Sequence, residues 1–393
     1  MYNLIMIKNR YILENVLEDL NEKMVFIGGP RQVGKTVFAK DIIGRKFKSS
    51  YYNWDNIESR LKALKSEWNY NSELIILDEF HKFPKWKTWI KGEYDMHRER
   101  FKFILTGSAR LNIFRRGGDS LQGRYYYYTL FPFTLSEVED INNEFTPLEE
   151  LKIREKEFES VNELIKFGGF PEPLFKQSEK YHRRWVKDRF EKLIDEDIRD
   201  LTLLRDTGNL LLLSEILKTK VSSVLSINSV SRELQVNFRT AENWFSVFEK
   251  FYYCFRIPPY NKKSIKSVKK EKKLYMWDWS VVEDKGARLE NLVALHLLKF
   301  VFYLRDAEGY DVNLFYIRDV NGREVDFLVS FKGLPWFSVE VKANDTALSR
   351  NLLYFSEKLK IPYNYQLVNK KGVDFLKSGV RVISMSKFLS ALV

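Results

Sequence analysis

The chain has 393 residues, of which 45% are hydrophobic and 30% charged, so it is long enough for two or three globular domains. Its single cysteine, Cys254, excludes an intramolecular disulfide, and four scattered histidines argue against a structural zinc site. The net charge of +12 favours a polyanionic partner, nucleic acid first, although a generally lysine-rich surface would give the same value. There is no apolar run of about 18 residues and no signal-peptide pattern, so we expect a cytoplasmic protein without a membrane span.

The first predicted element is a phosphate-binding loop. A predicted strand, Met24 to Ile27, leads into it and a predicted helix, Thr36 to Ile43, follows it. Between them the motif G-x-x-x-x-G-K-[ST] is matched by Gly29-Pro30-Arg31-Gln32-Val33-Gly34-Lys35-Thr36. The glycines allow backbone N–H groups to approach phosphates, Lys35 places its charge on the β- and γ-phosphates, and Thr36 offers a hydroxyl to Mg²⁺. We therefore expect ATP and Mg²⁺ to bind at this loop and at Val37 after it.

A second nucleotide motif follows the predicted strand Leu74 to Leu77. This run is continuously apolar, as a strand buried on both faces should be, and Asp78 and Glu79 come directly after it. Asp78 would hold Mg²⁺ and Glu79 would position the attacking water, which predicts hydrolysis rather than binding alone. The alternative is a strand that ends in two solvated carboxylates, but the phosphate loop upstream favours the catalytic interpretation.

The segment from residue 20 to residue 130 alternates between strand and helix, which predicts an α/β domain with a parallel sheet. An additional strand separates the phosphate loop from the Asp78 strand, an order typical of the ATPase class that includes motor and AAA-type proteins. The remaining predicted strands are Ser50 to Trp54, Phe101 to Leu105 and Tyr125 to Leu130, and the predicted helices include Ile57 to Trp68 and Trp86 to Arg98.

The middle of the chain is predicted to be helical from Ser136 to about Leu217, including the charged stretch Leu148 to Phe167. The segment Gly168 to Pro173 predicts a turn, because glycine and proline both interrupt regular structure. Residues 209–260 then fit a winged helix, in which helices Asn228 to Gln235 and Arg239 to Phe251 are joined by a turn. In that turn Asn237 is expected to take the left-handed conformation.

The second helix of this pair has an apolar face made by Ala241, Trp244, Phe245 and Phe248. That leaves a polar face for a DNA groove, made by Arg239, Thr240, Asn243 and Ser246. Glu242 and Glu249 argue against close phosphate contact, and a helix pair used only for packing is the alternative.

A lysine-rich segment, Asn261 to Lys273, follows the helix pair. It is either a solvated loop or a wing that contacts DNA phosphates with little sequence preference. Its seven lysines are Lys262, Lys263, Lys266, Lys269, Lys270, Lys272 and Lys273.

Four residues of the C-terminal region are predicted to converge. A helix, Ala287 to Leu304, precedes strands that we place at Leu314 to Arg318, Glu324 to Val329 and Trp336 to Ala343, joined by hairpin turns at Asp319 to Gly322 and Lys332 to Pro335. The two-residue period puts the side chains of Asp326, Glu340 and Lys342 together, and Glu290 on the helix can join them. Asp326 and Glu340 could hold Mg²⁺ or Mn²⁺, with Lys342 near the activated water, in the pattern of PD-(D/E)XK nucleases. The alternative is a surface hairpin with ordinary charges.

The whole chain resembles a prokaryotic family of AAA-type ATPases with a C-terminal domain of unknown function. The resemblance is carried by Gly29 to Thr36, Leu77-Asp78-Glu79, Leu105-Thr106-Gly107-Ser108, Ser120-Leu121-Gln122-Gly123-Arg124, Gly168-Gly169-Phe170-Pro171, Leu289-Glu290-Asn291, Glu324-Val325-Asp326-Phe327 and Glu340-Val341-Lys342. It implies a sensor at Thr106 or Ser108, a choice that stays open because Ala109 stands where relatives commonly carry a second serine. Arg124 is our candidate finger or sensor arginine, with Arg110 and Arg115 as alternatives.

Taken together, the patterns predict an α/β multidomain protein. Residues 1–135 form a P-loop ATPase core, 136–204 a helical connector, 205–273 a winged-helix-like domain and 274–393 a nuclease-like domain. We expect an ATPase that binds DNA, with a metal-dependent nuclease activity as a further option. The alternative is a nucleotide-dependent switch that binds protein partners through an inactive nuclease-like domain. We also expect a homo-oligomer, for which a hexamer is one option.

Overall fold

The computed structural model describes residues 8–107, 121–198, 207–261 and 271–393, which divide into two compact units. The first unit consists of residues up to 132 together with 187–205 and 250–252. The second consists of 133–186, 206–249 and 253–393. Within the described ranges, no helix has the length and apolar character needed to cross a membrane.

The first unit is built on a five-stranded sheet whose neighbouring strands are all parallel. Its strands are β1 (Met24–Gly28), β2 (Ser49–Asn53), β3 (Leu74–Asp78), β4 (Lys102–Gly107) and β5 (Tyr125–Thr129). They are arranged in the order β2-β3-β4-β1-β5, so β4 separates β1 from β3, as predicted. The unit's helices are Leu13–Asp19, Val37–Ile43, Gly44–Lys46, Ile57–Leu64, Phe80–Lys82, Trp86–His97 and Leu193–Ile198.

An apolar core covers this sheet and fixes its carboxyl edge. The strands β1 and β3 are buried along their full length, which explains their unbroken apolar sequences. One face is packed by aromatic rings, among them Phe26, Trp86 and Phe103. Since the strands are parallel, the phosphate loop after β1 and the carboxylates at the end of β3 lie at the same edge of the sheet.

The second unit contains a six-stranded mixed sheet. Its strands are β9 (Val312–Arg318), β10 (Glu324–Phe331), β11 (Leu334–Lys342), β12 (Tyr363–Val368), β13 (Asp374–Lys377) and β14 (Val380–Ser384). They are arranged in the order β13-β14-β12-β11-β10-β9. The hairpins β9–β10 and β10–β11 are antiparallel, as predicted, whereas β11–β12 and β12–β14 are parallel. The helices of this region are Lys285–Asp306, Arg350–Leu359 and Met385–Ser390, with a short turn of helix at Trp279–Val281.

A smaller antiparallel sheet accompanies three helices of the same unit, Thr207–Thr219, Ile227–Glu233 and Phe238–Lys250. Its strands are β6 (Val224–Leu225), β7 (Cys254–Ile257) and β8 (Lys272–Met276), arranged in the order β6-β8-β7. The predicted helix pair is therefore present, but the left-handed residue in its turn is Gln235 rather than Asn237. Asn237 instead accepts a hydrogen bond from the Thr240 N–H at 2.9 Å and caps the second helix. Because β8 runs through residue 273, the predicted domain limit at 273/274 falls inside a strand; the limits themselves stay predictions.

The stretch predicted as a helix from Leu148 to Phe167 is helical only over Ser160–Phe167. Before it, the chain makes long-range contacts with the six-stranded sheet and the helix that follows. Trp336 Nε1 donates to the Glu149 carbonyl at 2.7 Å, and Ser384 Oγ donates to Glu157 Oε1 at 2.7 Å. These contacts outweigh the helical tendency of a charged sequence, which is weak for any single residue.

The other helices of the middle region are short or amphipathic. They are Leu135–Val138, Pro171–Lys176 and Glu179–Lys192. The predicted turn is present at Gly168, whose φ of 76° favours glycine. However, the turn ends at Phe170, because Pro171 opens a helix, the position where proline is best tolerated.

Candidate functional site

The phosphate loop after β1 has a backbone that only glycine can form. Gly29 has a φ of 150°, and a Cβ added there would lie 2.5 Å from the Leu130 carbonyl oxygen. Gly34 has a φ of 98°. Lys35 is buried, and its Nζ donates to the carbonyls of Gly29 at 3.1 Å and Pro30 at 2.8 Å. The loop therefore curves around its own lysine, and its residues fit a nucleotide phosphate group.

Asp78 at the end of β3 is buried and accepts hydrogen bonds from three hydroxyl groups. Thr36 Oγ1 donates to Asp78 Oδ2 at 2.8 Å, Tyr51 Oη donates to the same oxygen at 2.6 Å, and Thr106 Oγ1 donates to Oδ1. The predicted magnesium ligands Thr36 and Asp78 are thus in direct contact, and Thr106 of β4 lies beside them. Sequence analysis missed Tyr51, because only the sheet order places β2 next to β3.

Glu79 follows Asp78 in a left-handed conformation, with φ of 59°. Its Oε2 lies 3.7 Å from His81 Nε2 and 3.9 Å from Lys82 Nζ. Burial, and then the positive charges of Lys35 and Lys82, lowers the pKa of His81 to about 3. Glu79 therefore sits between a neutral imidazole and an ammonium group at the carboxyl edge of the sheet.

Of the remaining sensor and finger candidates, the structure describes only Arg124. Ser108, Arg110 and Arg115 lie outside the described residues. Arg124 precedes β5 and binds Asp95 through two hydrogen bonds, from Nε at 2.7 Å and Nη2 at 3.1 Å. It lies at the amino edge of the parallel sheet, whereas the phosphate loop lies at the carboxyl edge. Its role as a finger or sensor arginine stays a prediction.

A different arginine contacts the loop. Arg10 is buried, and its Nη1 donates to the Val33 carbonyl at 3.1 Å while Nη2 donates to the Phe131 carbonyl. Arg10 therefore stabilises the backbone conformation of the phosphate loop at Val33. Sequence analysis missed it, because nothing near Arg10 distinguishes it from an ordinary surface arginine.

In the second unit, a buried lysine gathers three carboxylates. Lys273 Nζ on β8 lies 3.0 Å from Glu290 Oε1, 2.7 Å from Glu324 Oε1 and 3.3 Å from Asp326 Oδ1. The predicted pair Glu290 and Asp326 are therefore within reach of one ammonium group. Tyr275 Oη also donates to Glu290 Oε1, at 2.8 Å.

The other two predicted residues adjoin this cluster. Lys342 Nζ lies 2.7 Å from Glu340 Oε1, and Ser349 Oγ donates to the same oxygen at 3.3 Å. Asp326 Oδ2 accepts a hydrogen bond from the Val341 N–H at 2.9 Å, on the neighbouring strand. The strand alternation therefore placed Asp326, Glu340 and Lys342 correctly beside one another.

Residues 21–139 match a family model described as an AAA domain. The sheet order and the phosphate loop agree with that match. Residues 158–285 and 285–388 match two models described as domains of unknown function, DUF8612 and DUF4143. The nuclease-like character of the C-terminal region therefore stays a prediction.

Two known proteins are similar to the chain over much of its length. The uncharacterized protein MJ1544 of Methanocaldococcus jannaschii is 25% identical over 390 residues, covering 92% of this chain and 84% of that protein. The Walker-type ATPase PABY2304 of Pyrococcus abyssi is 12% identical and covers 70% of this chain and 94% of its own, with a TM-score of 0.41. That score is too low to show a common overall fold.

Outside the AAA domain, burial and mutual repulsion alter the titration of the carboxylate cluster. Burial, and then the charge of Asp326, raises the pKa of Glu290 to about 8. The same two causes, in the same order, raise the pKa of Glu340 to about 7. Both carboxyl groups thus hold their protons more tightly than an exposed glutamate does.

The cluster does not fit a metal ion in this arrangement. In the part of the chain that the structure describes, no group of three or more histidine, cysteine or acidic side chains could hold one. Glu290 Oε1 and both oxygens of Asp326 are engaged by Lys273, Tyr275 or a backbone N–H. The predicted role of Asp326 and Glu340 as metal ligands therefore lacks the required open geometry.

One part of the nucleic-acid prediction is corrected as well. Lys273 belongs to the lysine-rich segment predicted to be either a solvated loop or a wing that contacts phosphates, whereas it is only 1% exposed and faces carboxylates. Lysines 262–270 lie outside the described residues.

The acidic side chains of the helix Phe238–Lys250 are less of an obstacle to phosphate contact than expected, because Arg256 binds Glu249 at 2.7 Å and lies 3.8 Å from Glu242. Arg239 and Asn243 on the same helix are exposed.

Proposed function

We propose that the chain is an ATP-hydrolysing AAA-type ATPase that binds DNA. The observation that supports this most strongly is the direct contact between Thr36 of the phosphate loop and Asp78 at the end of β3, with Glu79 adjacent. A metal-binding pair, a phosphate-binding lysine and a carboxylate placed for water are the components that phosphoryl transfer to water requires.

Each residue has a role that follows from its position. Lys35 would exchange its loop carbonyl partners for phosphate oxygens. Thr36 and Asp78 would hold Mg²⁺, which neutralises phosphate charge when it is bound. The Glu79 carboxylate would orient a water molecule and accept its proton. Thr106, which already binds Asp78, would hold the carboxylate in place.

The DNA-binding part of the proposal rests on the second unit. The order of its elements from Thr207–Thr219 to β8 is helix, strand, helix, helix, strand, strand, which is the order expected for a winged helix. The second helix of the pair has Arg239 and Asn243 exposed on its polar face, and the lysine-rich segment lies between β7 and β8. We propose that these surfaces contact phosphates with little sequence preference.

A second candidate is a nucleotide-dependent switch that binds protein partners through an inactive C-terminal domain. The ammonium group of Lys273 supports this candidate, because it lies among the carboxylates that a metal-dependent nuclease would need for its cation. A DNA cleavage assay with Mg²⁺ or Mn²⁺, with and without ATP, tests whether the C-terminal domain is inactive. Cleavage that Asp326→Ala abolishes would support the nuclease.

The proposed ATPase is tested by phosphate release from Mg²⁺–ATP. The purified chain should release phosphate, and the Lys35→Ala variant should neither bind nor hydrolyse ATP, since the charge that holds the phosphates is gone. A control variant, Lys40→Ala, removes a lysine from the helix after the loop and should retain turnover. If wild-type protein and Lys35→Ala hydrolyse ATP at equal rates, the phosphate loop is not the site.

A further inference from the structure

The carboxylate cluster of the second unit already contains a cation. Lys273 comes from β8 of the small sheet, whereas Glu324 and Asp326 come from β10 of the six-stranded sheet and Glu290 from the helix Lys285–Asp306. The Lys273 side chain is 2% exposed and lies within 3.3 Å of an oxygen from each of the three carboxylates. One ammonium group thus joins three separate elements.

The charges around Lys273 would be unstable without it. Three carboxylates within hydrogen-bonding distance of one point repel one another strongly in a buried setting. A single lysine offsets only one of their charges. A divalent cation with oxygen ligands would offset two charges at the same place.

Glu340 is independent evidence that the carboxylate oxygens of this region outnumber the hydrogen-bond donors available to them. Glu340 is 5% exposed, and within the described residues its Oε2 is buried with no hydrogen-bond partner. Its other oxygen is held by Lys342 and Ser349. A buried carboxylate oxygen without a donor is costly, and it is an available ligand for a cation beside Asp326.

We propose that Lys273 is a built-in substitute for a divalent cation, so that the native cluster excludes Mg²⁺ and Mn²⁺ and becomes a metal site when the ammonium group is removed. The carboxylates of Glu290, Glu324 and Asp326, which surround the ammonium group, would then supply the oxygen ligands. This inference deepens the candidate of an inactive C-terminal domain and does not depend on nucleotide hydrolysis.

The test uses the full-length chain without nucleotide and follows free Mn²⁺ by its electron paramagnetic resonance signal. Wild-type protein, Lys273→Met and Lys272→Met are each measured with and without the additional substitution Asp326→Asn. The difference between the two measurements removes the contribution of Mn²⁺ bound elsewhere on the chain. Lys272 is the matched control, because it is the adjacent lysine on β8 and its side chain points to the opposite face of the strand.

Only Lys273→Met should gain one Mn²⁺ per chain, and Asp326→Asn should remove that gain. The thermal midpoint of Lys273→Met should fall without metal and recover in millimolar Mn²⁺, because the cation replaces the lost charge. Lys273→Gln serves as a second variant, since it keeps hydrogen-bond donors and loses only the charge.

Three outcomes would overturn the inference. The first is wild-type Mn²⁺ binding that Asp326→Asn abolishes, because the ammonium group would then not exclude the metal. The second is folded Lys273→Met that gains no binding. The third is failure of both Lys273→Met and Lys273→Gln to fold in Mn²⁺, since the ion would then not replace the lysine. None of these results bears on ATP turnover, so the ATPase proposal fails or stands separately.

Discussion

The adjacent carboxylates of Asp78 and Glu79 differ in how tightly the surrounding side chains hold them. The two oxygens of the former already accept hydrogen bonds from Thr36, Tyr51 and Thr106, so it is held rigidly at the end of β3. Burial, and then the hydrogen bond to Asp78, raises the pKa of Tyr51, which therefore remains a donor. Glu79 has a less buried side chain, and it is the carboxylate placed to meet water.

Substituting Glu79→Gln should leave ATP binding intact and lower turnover by about 100- to 10,000-fold, the usual contribution of a general base. The amide keeps the shape of the side chain but cannot accept a proton from water. Equilibrium ATP binding and single-turnover phosphate release measure the two properties separately. Turnover within twofold of the wild-type rate would show that Glu79 is not the base.

The titration of Glu290 gives a prediction for stability. Unfolded glutamate titrates near 4.5, whereas the pKa of folded Glu290 is raised to about 8. Between these values the folded chain holds a proton that the unfolded chain has released, so the unfolding free energy should fall as the pH rises through that interval.

Thermal or urea unfolding of wild-type protein and Glu290→Gln between pH 5 and pH 9 tests this, over roughly the window in which the two states differ. The amide does not titrate, so the variant should lose at least about 1 kcal/mol less stability across the range. Glu340→Gln should show a smaller effect of the same sign, because the pKa of Glu340 is raised only to about 7. Identical pH profiles for wild type and Glu290→Gln would contradict the raised pKa.

At the scale of whole elements, the strands β1, β3 and β4 of the first unit could be predicted from sequence because they are buried on both faces along almost all of their length. Unbroken apolar runs such as Leu74 to Leu77 have one structural solution in a covered parallel sheet, and the structure differs from the predicted ends by one or two residues. The carboxylate pair on β10 and β11 was predictable for a similar reason, since alternation fixes which side chains share a face.

The surroundings of Lys273 could not be predicted in this way. In the sequence it is one of seven lysines between residues 262 and 273, and composition favours solvent exposure for all of them. Its burial depends on its side chain reaching Asp326 on β10, 53 residues further along the chain, and on three carboxylates meeting there. The irregular segment before Ser160 has the same origin, because long-range contacts decided its conformation.

The helix Lys285–Asp306 is fixed at a second point by a buried ion pair. Lys299 Nζ binds Glu137 and donates to Thr134 Oγ1 at 2.7 Å, and both charged side chains are almost fully buried. Lys299→Met should destabilise the chain by about 3–5 kcal/mol, because Glu137 would stay buried without compensation. Urea unfolding followed by tryptophan fluorescence measures the loss.

The double variant Lys299→Met, Glu137→Leu is the control for that measurement. It removes both charges and should recover most of the lost stability, since well-packed apolar residues can replace a buried ion pair. If the double variant is less stable than the single variant, the pair contributes through packing rather than through charge.

The lysine-rich segment gives a prediction for DNA binding. Neutralising Lys262, Lys263, Lys266 and Lys269 to glutamine should weaken binding to duplexes of any sequence and flatten the salt dependence, by about 0.9 in log–log slope for each phosphate that the protein no longer neutralises. Fluorescence anisotropy at several salt concentrations gives both quantities. The matched control neutralises four exposed lysines of the first unit, Lys46, Lys48, Lys65 and Lys85, and so changes the net charge equally. Equal losses of affinity in the two variants would show that only net charge matters.

At the scale of the whole molecule, the proposed function requires that the nucleotide state and DNA affinity influence each other. ATP would bind in the first unit and DNA in the second, and linkage then demands reciprocity: the factor by which ATP changes DNA affinity must equal the factor by which DNA changes ATP affinity. A coupling of about 1–3 kcal/mol, or 5- to 150-fold, is usual for such systems.

The Glu79→Gln variant makes this measurable, because bound ATP would persist at equilibrium. DNA affinity should be determined by anisotropy without nucleotide, with ADP and with Mg²⁺–ATP, and ATP affinity should be determined with and without saturating DNA. We expect the two factors to agree and to differ from one, and we expect Lys35→Ala in the same assay to show no response to ATP. Equal DNA affinity in all three nucleotide states would show that the activities of the two units are independent of each other. The chain would then be an ATPase and a DNA-binding protein without coupling between them, and a protein partner would have to supply the link.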